Sequence, residues 1–289
     1  SGKTVEDSIL QESALRAVMF TGSTSAATHI NRQIANRSGP IISLIAETGG
    51  QNAMIVDSSA LVEQVTRDIV QSAFDSAGQR CSALRVLFVQ DDIKQRLLDT
   101  LTGYLDTFRI GDPLDWETDI GPVIDAKARA ELLLHIERFQ HKGRVLYQSP
   151  MSELPGHFVP PTIIELHDLD ELLDEVFGPV LHVITFKADA VDEVVDQINR
   201  TGFGLTLGVH SRINSFCQQV ARRAQVGNVY INRNMIGATV GSQPFGGQDL
   251  SGTGPKAGGP HYLLRLANEK TVSVNTAAIG GNTQLLVED

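Results

Sequence analysis

The sequence predicts an α/β protein built from parallel βαβ units. Short apolar runs bounded by Gly, Ser or Thr alternate with longer stretches whose apolar residues recur every three or four positions. Strands that alternate with helices in this way pack as parallel units. No internal repeat or low-complexity tract interrupts the alternation, and 289 residues allow one large domain or two smaller ones.

The elements follow in order. Ala17-Val18-Met19-Phe20 reads as a strand, and Thr21-Gly22-Ser23-Thr24 as a turn into a helix that runs to about Ala35, before the break at Ser38-Gly39-Pro40. A second apolar strand, Ile41 to Ala46, is closed by Glu47-Thr48-Gly49-Gly50. A third spans Asn52 to Val56. Asp57, Ser58 and Ser59 then offer N-caps for a helix whose buried face carries Leu61, Val65, Ile69 and Ala73, with Gly78 as its stop. Ala83 to Val89 reads as a strand and Asp91 to Phe108 as a helix. Leu181 to Phe186 and Asn228 to Ile231 read as strands, with helices over Asp189 to Ile198 and Ser215 to Ala224. Thr271 to Asn275 alternates polar and apolar residues, which suits an exposed edge strand.

Composition narrows the function. Asp and Glu number 34 against 24 Lys and Arg, a net charge of -10. An acidic surface argues against nucleic acid, because phosphate binding needs a concentrated cationic face. No apolar run approaches the roughly 18 residues of a membrane span. The first seven residues show no signal pattern. Only Cys81 and Cys217 are present, which is no disulfide framework and fits a reducing cytoplasm. The eight His show no paired metal-ligand spacing, so no metal is expected.

Three positions suggest chemistry. Cys81 lies in Gly78-Gln79-Arg80-Cys81-Ser82, between a helix end and a strand start, where inward N–H groups would favour the thiolate. An isolated Cys is by default a small buried hydrophobe, and Cys217, inside a helical stretch, reads that way. Glu47 ends an apolar strand. Partial burial would raise its pKa and make it a usable base, although a capping or ion-paired role fits equally. Glu175 and Phe177 would share one side of an extended segment and could hold a ribose and a flat heterocycle, although taken alone Glu175 to Val180 reads as a helix end and turn. Gly252-Thr253-Gly254-Pro255-Lys256-Ala257 formally fits G-x-G-x-x-A. No strand precedes it, and Pro255 removes an N–H donor, so it reads as a structural turn.

Together these segments resemble the aldehyde dehydrogenase superfamily. Phe20-Thr21-Gly22-Ser23-Thr24 is similar to its pyrophosphate turn, Glu47-Thr48-Gly49-Gly50 to its general-base segment, and Gly78-Gln79-Arg80-Cys81 to its nucleophile segment. Glu175-Val176-Phe177-Gly178-Pro179 and Pro244-Phe245-Gly246-Gly247 resemble its two later signatures. Asp75 to Arg85, Asn232-Arg233-Asn234-Met235-Ile236-Gly237-Ala238 and Lys256-Ala257-Gly258-Gly259-Pro260 sharpen the likeness. They resemble the glutamate-semialdehyde (1-pyrroline-5-carboxylate) dehydrogenases, and most nearly the C-terminal module of bacterial proline utilisation A, which is fused to a proline dehydrogenase.

The resemblance implies an aldehyde dehydrogenase-like catalytic domain, residues 50–254, beside the C-terminal part of a truncated Rossmann-type NAD-binding domain, residues 1–49. Residues 255–289 would form a tail with an oligomerisation strand. It implies oxidation of glutamate semialdehyde with NAD, with Cys81 as nucleophile and Glu47 as base. Gly22, Ser23, Thr48, Gly49, Glu175 and Phe177 would hold NAD. Ser82, Gly237 and Ala238 would bind the substrate carboxylate as an anion nest, with Phe245 packing on its aliphatic part. FAD would enter only through a proline dehydrogenase domain in the parent chain. The implied partners are the aldehyde, a second copy in a dimer, and that proline dehydrogenase domain. The implied setting is cytoplasmic, with peripheral membrane association through the parent. Family members carry an upstream half of the NAD domain, with an oxyanion-hole Asn and a ribose-side Lys. This chain begins just before the pyrophosphate turn, so it is expected to be a fragment that turns over poorly alone. The alternatives are another aldehyde dehydrogenase, a non-catalytic interaction module, which predicts loss of Cys81 or Glu47, and a cysteine hydrolase, which needs a His partner for the thiol.

Overall fold

The computed structural model describes residues 8–279. Two sheets organise them. The smaller pairs β1 (Ala17–Thr21) with β2 (Ser43–Glu47) in parallel, joined by helix α1 (Thr24–Asn36). Ser23 caps α1 by accepting the Ala26 N–H, and Ala27 and Ile30 turn inward.

The larger sheet begins with β3 (Ala53–Val56), α2 (Val62–Phe74), β4 (Val86–Gln90) and α3 (Lys94–Leu105). It continues with α4 (Ala126–Gln140), β5 (Val145–Gln148), β6 (Thr162–Glu165), β7 (Val180–Phe186) and α5 (Val191–Arg200). After β8 (Phe203–Gly204) come β9 (Thr206–His210), α6 (Asn214–Arg223) and β10 (Asn228–Ile231). Among the described residues its order is β10-β9-β3-β4-β7-β6-β5, parallel throughout except for the antiparallel edge β5. Helices cover a parallel sheet on both faces, so its central strands are continuously apolar. All of β3 and β4 is buried. Each fully buried Ile, Leu, Val or Phe there stabilises the fold by roughly 1.5–3 kcal/mol. A short antiparallel pair, β8 with β11 (Gln248–Asp249), returns the chain to the small sheet, where Gly252 bridges Glu47.

Several expectations need correction. Helix α2 starts at Val62, one turn later than the Asp57-Ser58-Ser59 caps imply. Leu61 is its N-cap and lies exposed rather than in the buried stripe of Val65, Ile69 and Ala73. The reason is local: the Asp57 carboxylate already accepts Ser59 N–H and Oγ–H and the Ser211 hydroxyl, which locks a turn between β3 and β9. Helix α3 is shorter than Asp91 to Phe108, because Ile93 N–H closes a turn on Gln90 and Phe108 N–H one on Leu105. Helix α4 and strands β5, β6, β8, β9 and β11 are additions to the sequence reading. Thr271 to Asn275 pairs with no strand among the described residues, and Val272 and Val274 face solvent. Alternation alone builds no ladder without a neighbouring strand to supply N–H and C=O groups. No helix among the described residues is long and apolar enough to cross a membrane.

Candidate active site

The nucleophile candidate sits where helix α2 unwinds. Ser76 and Ala77 adopt left-handed φ of 57° and 52°, followed by Gly78 at 66°, and this reverses the chain toward Cys81. Side chains from across the fold then hold the turn. Asn52 Nδ2 donates to the carbonyls of Cys81 (2.7 Å) and Ala83 (2.9 Å). Thr206 Oγ1 donates to the Ser82 carbonyl, and the Gln79 side chain bonds Pro122 O and Ile124 N–H.

Arg85 is the anchor of this region. It is 1% exposed. Its guanidinium donates to Gly78 O (2.6 Å), Arg80 O (3.0 Å) and Glu175 Oε1 (3.2 Å). It also lies 4.9 Å from the centre of the Phe177 ring. One buried cation therefore fixes the nucleophile turn and the Glu175–Phe177 segment together. Glu175 is pushed up by burial and held down by Arg85. Gly49 backs the same carboxylate: a Cβ there would meet Glu175 Oε2 at 1.8 Å, so only glycine leaves it room.

Cys81 and all six residues predicted to hold a cofactor, Gly22, Ser23, Thr48, Gly49, Glu175 and Phe177, line one cavity of about 610 Å³. The N-terminus of α1 opens into it at Thr24 and Ser25. A helix start offers unpaired N–H groups and partial positive charge to a phosphate. Beside it stand a carboxylate suited to a ribose diol and a half-exposed aromatic ring. This donor set fits a dinucleotide.

The Cys81 thiol is raised above the ordinary range, first by burial and then by the charges of Glu175 and Glu47. The N–H groups of Ser82 and of Cys81 itself bond the sulfur and pull the other way, but burial outweighs them. The N–H groups thus act in the expected direction, and burial sets the sign of the net shift. Cys217 is 2% exposed, with its Sγ 3.8 Å from Ser211 O.

Glu47 ends β2. Burial raises its carboxyl to about 7, against the opposing Gly247 N–H and the positive charge of Lys256. Gly247 N–H donates to Oε2 at 2.9 Å, while Oε1 is buried with no hydrogen-bond partner. Glu47 thus approaches the site from the small sheet, and Cys81 from the large one.

The four predicted substrate residues lie outside the 610 Å³ cavity. Ser82 is buried directly after Cys81. Ser72 ties its segment to the distant loop: Ser72 O accepts Leu84 N–H, and Ser72 Oγ accepts Met235 N–H, two residues before exposed Gly237 and half-buried Ala238. Phe245 is paired through its backbone with Ala257 and precedes the Gly246-Gly247 that flanks Glu47. Sequence reasoning missed Asn52, Arg85 and Lys256. A charged residue opening an otherwise apolar strand is the one signal that marked Arg85.

Residues 1–272 match the model of the aldehyde dehydrogenase family, and the chain belongs to that family. It is 54% identical over 279 residues to the Bifunctional protein PutA of Klebsiella aerogenes, covering 93% of this chain and 21% of that protein. It is 36% identical over 280 residues to the 1-pyrroline-5-carboxylate dehydrogenase of Geobacillus sp. (strain WCH70), covering 94% and 54%. A variant of Bradyrhizobium japonicum Proline Utilization A superposes with a TM-score of 0.91 at 52% identity, over 96% of this chain and 28% of that one. A 1-pyrroline-5-carboxylate dehydrogenase from Thermus with bound NAD gives 0.85 at 33%, over 92% and 52%. The chain therefore spans about a fifth to just over a quarter of the PutA relatives and about half of the single-function ones.

Proposed function

We propose that this chain is the catalytic portion of a longer NAD-dependent dehydrogenase that oxidises glutamate semialdehyde, the open form of 1-pyrroline-5-carboxylate, to glutamate. The observation that carries this reading is the shared cavity. A thiol, a helix N-terminus and an Arg-held carboxylate line it, with a second carboxyl near 7 close by. The relatives named 1-pyrroline-5-carboxylate dehydrogenase and PutA support the substrate class.

Cys81 first gives up its thiol proton to solvent, and its thiolate then attacks the aldehyde carbon to form a thiohemiacetal, whose oxyanion the Cys81 backbone N–H stabilises. NAD, when bound, would supply the hydride acceptor, and Glu175, Phe177 and the first turn of α1 would hold it. Loss of hydride leaves a thioester on Cys81. Glu47 takes a proton from water as its oxygen attacks the thioester, the C–S bond breaks, and Cys81 leaves as thiolate. Ser82 and the Gly237–Ala238 backbone receive the substrate carboxylate, and Phe245 packs on its methylenes.

We further propose divisions after Gly49 and Gly254, a proline dehydrogenase domain with FAD elsewhere in the polypeptide, a cytoplasmic setting, and self-association through the exposed apolar residues between Leu263 and Val274. Because the chain spans only about half of the 1-pyrroline-5-carboxylate dehydrogenases it matches, the 289 residues assayed alone should turn over slowly.

The experiment follows NADH absorbance with glutamate semialdehyde in the longer polypeptide. Cys81→Ser should abolish NADH formation. Glu47→Gln should give about one equivalent as a burst and then stall at the thioester. Undiminished turnover by Cys81→Ser would overturn the reading.

A further inference from the structure

Lys256 lies between Gly254 and the Ala257–Phe245 bridge, so its backbone is fixed against Gly246. A side chain begun at Gly246 would meet Glu47 Oε1 at 2.6 Å and Lys256 Cα at 3.2 Å. The glycine is what allows the carboxyl and the lysine backbone to approach so closely. The ammonium donates to the Gly227 carbonyl, and the side chain is half-buried. Glu47 has only one oxygen hydrogen-bonded, by Gly247 N–H, and its other oxygen is buried without a partner. A carboxylate in that state gains by taking up a proton, and once protonated it cannot accept one from water.

We propose that Lys256 is the positioning residue that keeps Glu47 in its basic form: its backbone lies against Gly246, its ammonium is anchored on the Gly227 carbonyl, and this fixed positive charge favours the carboxylate over the carboxylic acid. This rests on the reading of Glu47 as the base of thioester hydrolysis. Each hydrolysis leaves one proton on Glu47, which must pass to solvent before the next round. A fixed cation speeds that return without itself giving up a proton. The ionisable groups that act on Glu47 are Lys256 and the Cys81 thiol, and they act in opposite directions, since a Cys81 thiolate disfavours a second negative charge. Lys256 in turn is pushed down by burial and held up by Glu47.

The test isolates thioester hydrolysis from hydride transfer. In the longer polypeptide, without NAD, a pulse of p-nitrophenyl acetate acetylates Cys81, and mass spectrometry follows loss of the acetyl group between pH 5 and 9. In the unmodified protein the rate should rise through an acid limb near pH 7. Lys256→Gln keeps a donor for Gly227 O but removes the charge, and should move that limb upward by about one pH unit. Lys256→Arg should restore it. An unmoved limb in Lys256→Gln, with the thermal midpoint unchanged, would overturn the proposal. So would a limb that moves equally in Lys256→Arg. Should Lys256→Gln not fold, Lys256→Met and the arginine variant supply the same contrast. Failure of the underlying reading looks different: Glu47→Gln would then lose its acetyl group at the unmodified rate at every pH.

Discussion

Strand β4 of the large sheet is buried at all five positions, whereas β1 of the small sheet is buried at none. Each sheet nevertheless supplies one of the two proposed reacting groups, Cys81 ahead of β4 and Glu47 at the end of β2. The nucleophile turn is held by a dense core plus Asn52 and Arg85. The base depends on a few polar tethers. Thr48 N–H donates to Ser251 O at 3.0 Å and Thr48 Oγ1 to Leu250 O at 2.6 Å. Ala46 N–H donates to Thr253 Oγ1 at 2.9 Å. Stability and the proposed catalysis should therefore be distributed differently: truncation in the large sheet is expected to cost more than truncation in the small one.

The largest test of that contrast is a pair of truncations. Phe88→Ala in β4 should cost about 3–5 kcal/mol, and Met19→Ala on exposed β1 within about 0.5 kcal/mol, by urea denaturation. Similar losses would erase the distinction between the sheets.

Next comes the pH dependence of Glu47. Its folded pKa, about 7, lies above the ordinary 4.5. The folded state thus binds the proton more tightly, and the carboxyl destabilises the fold progressively as pH rises from about 4.5 to about 7. Glu47→Gln should be the more stable protein at pH 8, by up to about 3 kcal/mol, and lose that advantage below about pH 4.5. A constant difference across pH would show that the carboxyl is not desolvated.

Thiol labelling gives a smaller contrast. Iodoacetamide should alkylate half-buried Cys81 at least about tenfold faster than Cys217, and faster as pH rises, because burial pushes the Cys81 thiol up. Peptide mapping that finds Cys217 first would reverse the assignment.

The smallest effect belongs to the tether. Thr253→Val removes the acceptor for Ala46 N–H and should cost about 1 kcal/mol. Hydrogen exchange should quicken in β2 and stay unchanged in β3 and β4. Equal quickening in both sheets would mean that they move as one body.

Much of this arrangement was legible in the sequence. Apolar runs ending in Thr-Gly or Glu-Thr-Gly-Gly located β1, β2 and the loops that follow them, and Asn228 to Ile231 was placed to the residue. The six residues read as cofactor contacts share one cavity with Cys81. What could not be read is tertiary. Arg85 is one cation in an apolar run until folding brings Gly78, Arg80 and Glu175 around it. Lys256 looks like part of a turn until Gly246 is seen to lie between it and Glu47. Helix α4 has only three buried residues over 15, a weak stripe. The sign of the Cys81 shift depends on burial, which no local pattern reports.

The left-handed Ser76 and Ala77 bear on any attempt to make a durable biocatalyst from this protein. Residues other than glycine cost roughly 1–3 kcal/mol each in that conformation. A screen for heat resistance would therefore reward glycine at exposed Ser76 before Ala77, whose methyl is packed in the core, since relief of the bend exceeds the added freedom of the unfolded chain. The same exchange would soften the turn that leads into Cys81, the proposed nucleophile. Shelf life and turnover are thus set against each other in two adjacent side chains, and selection for one alone will lose the other.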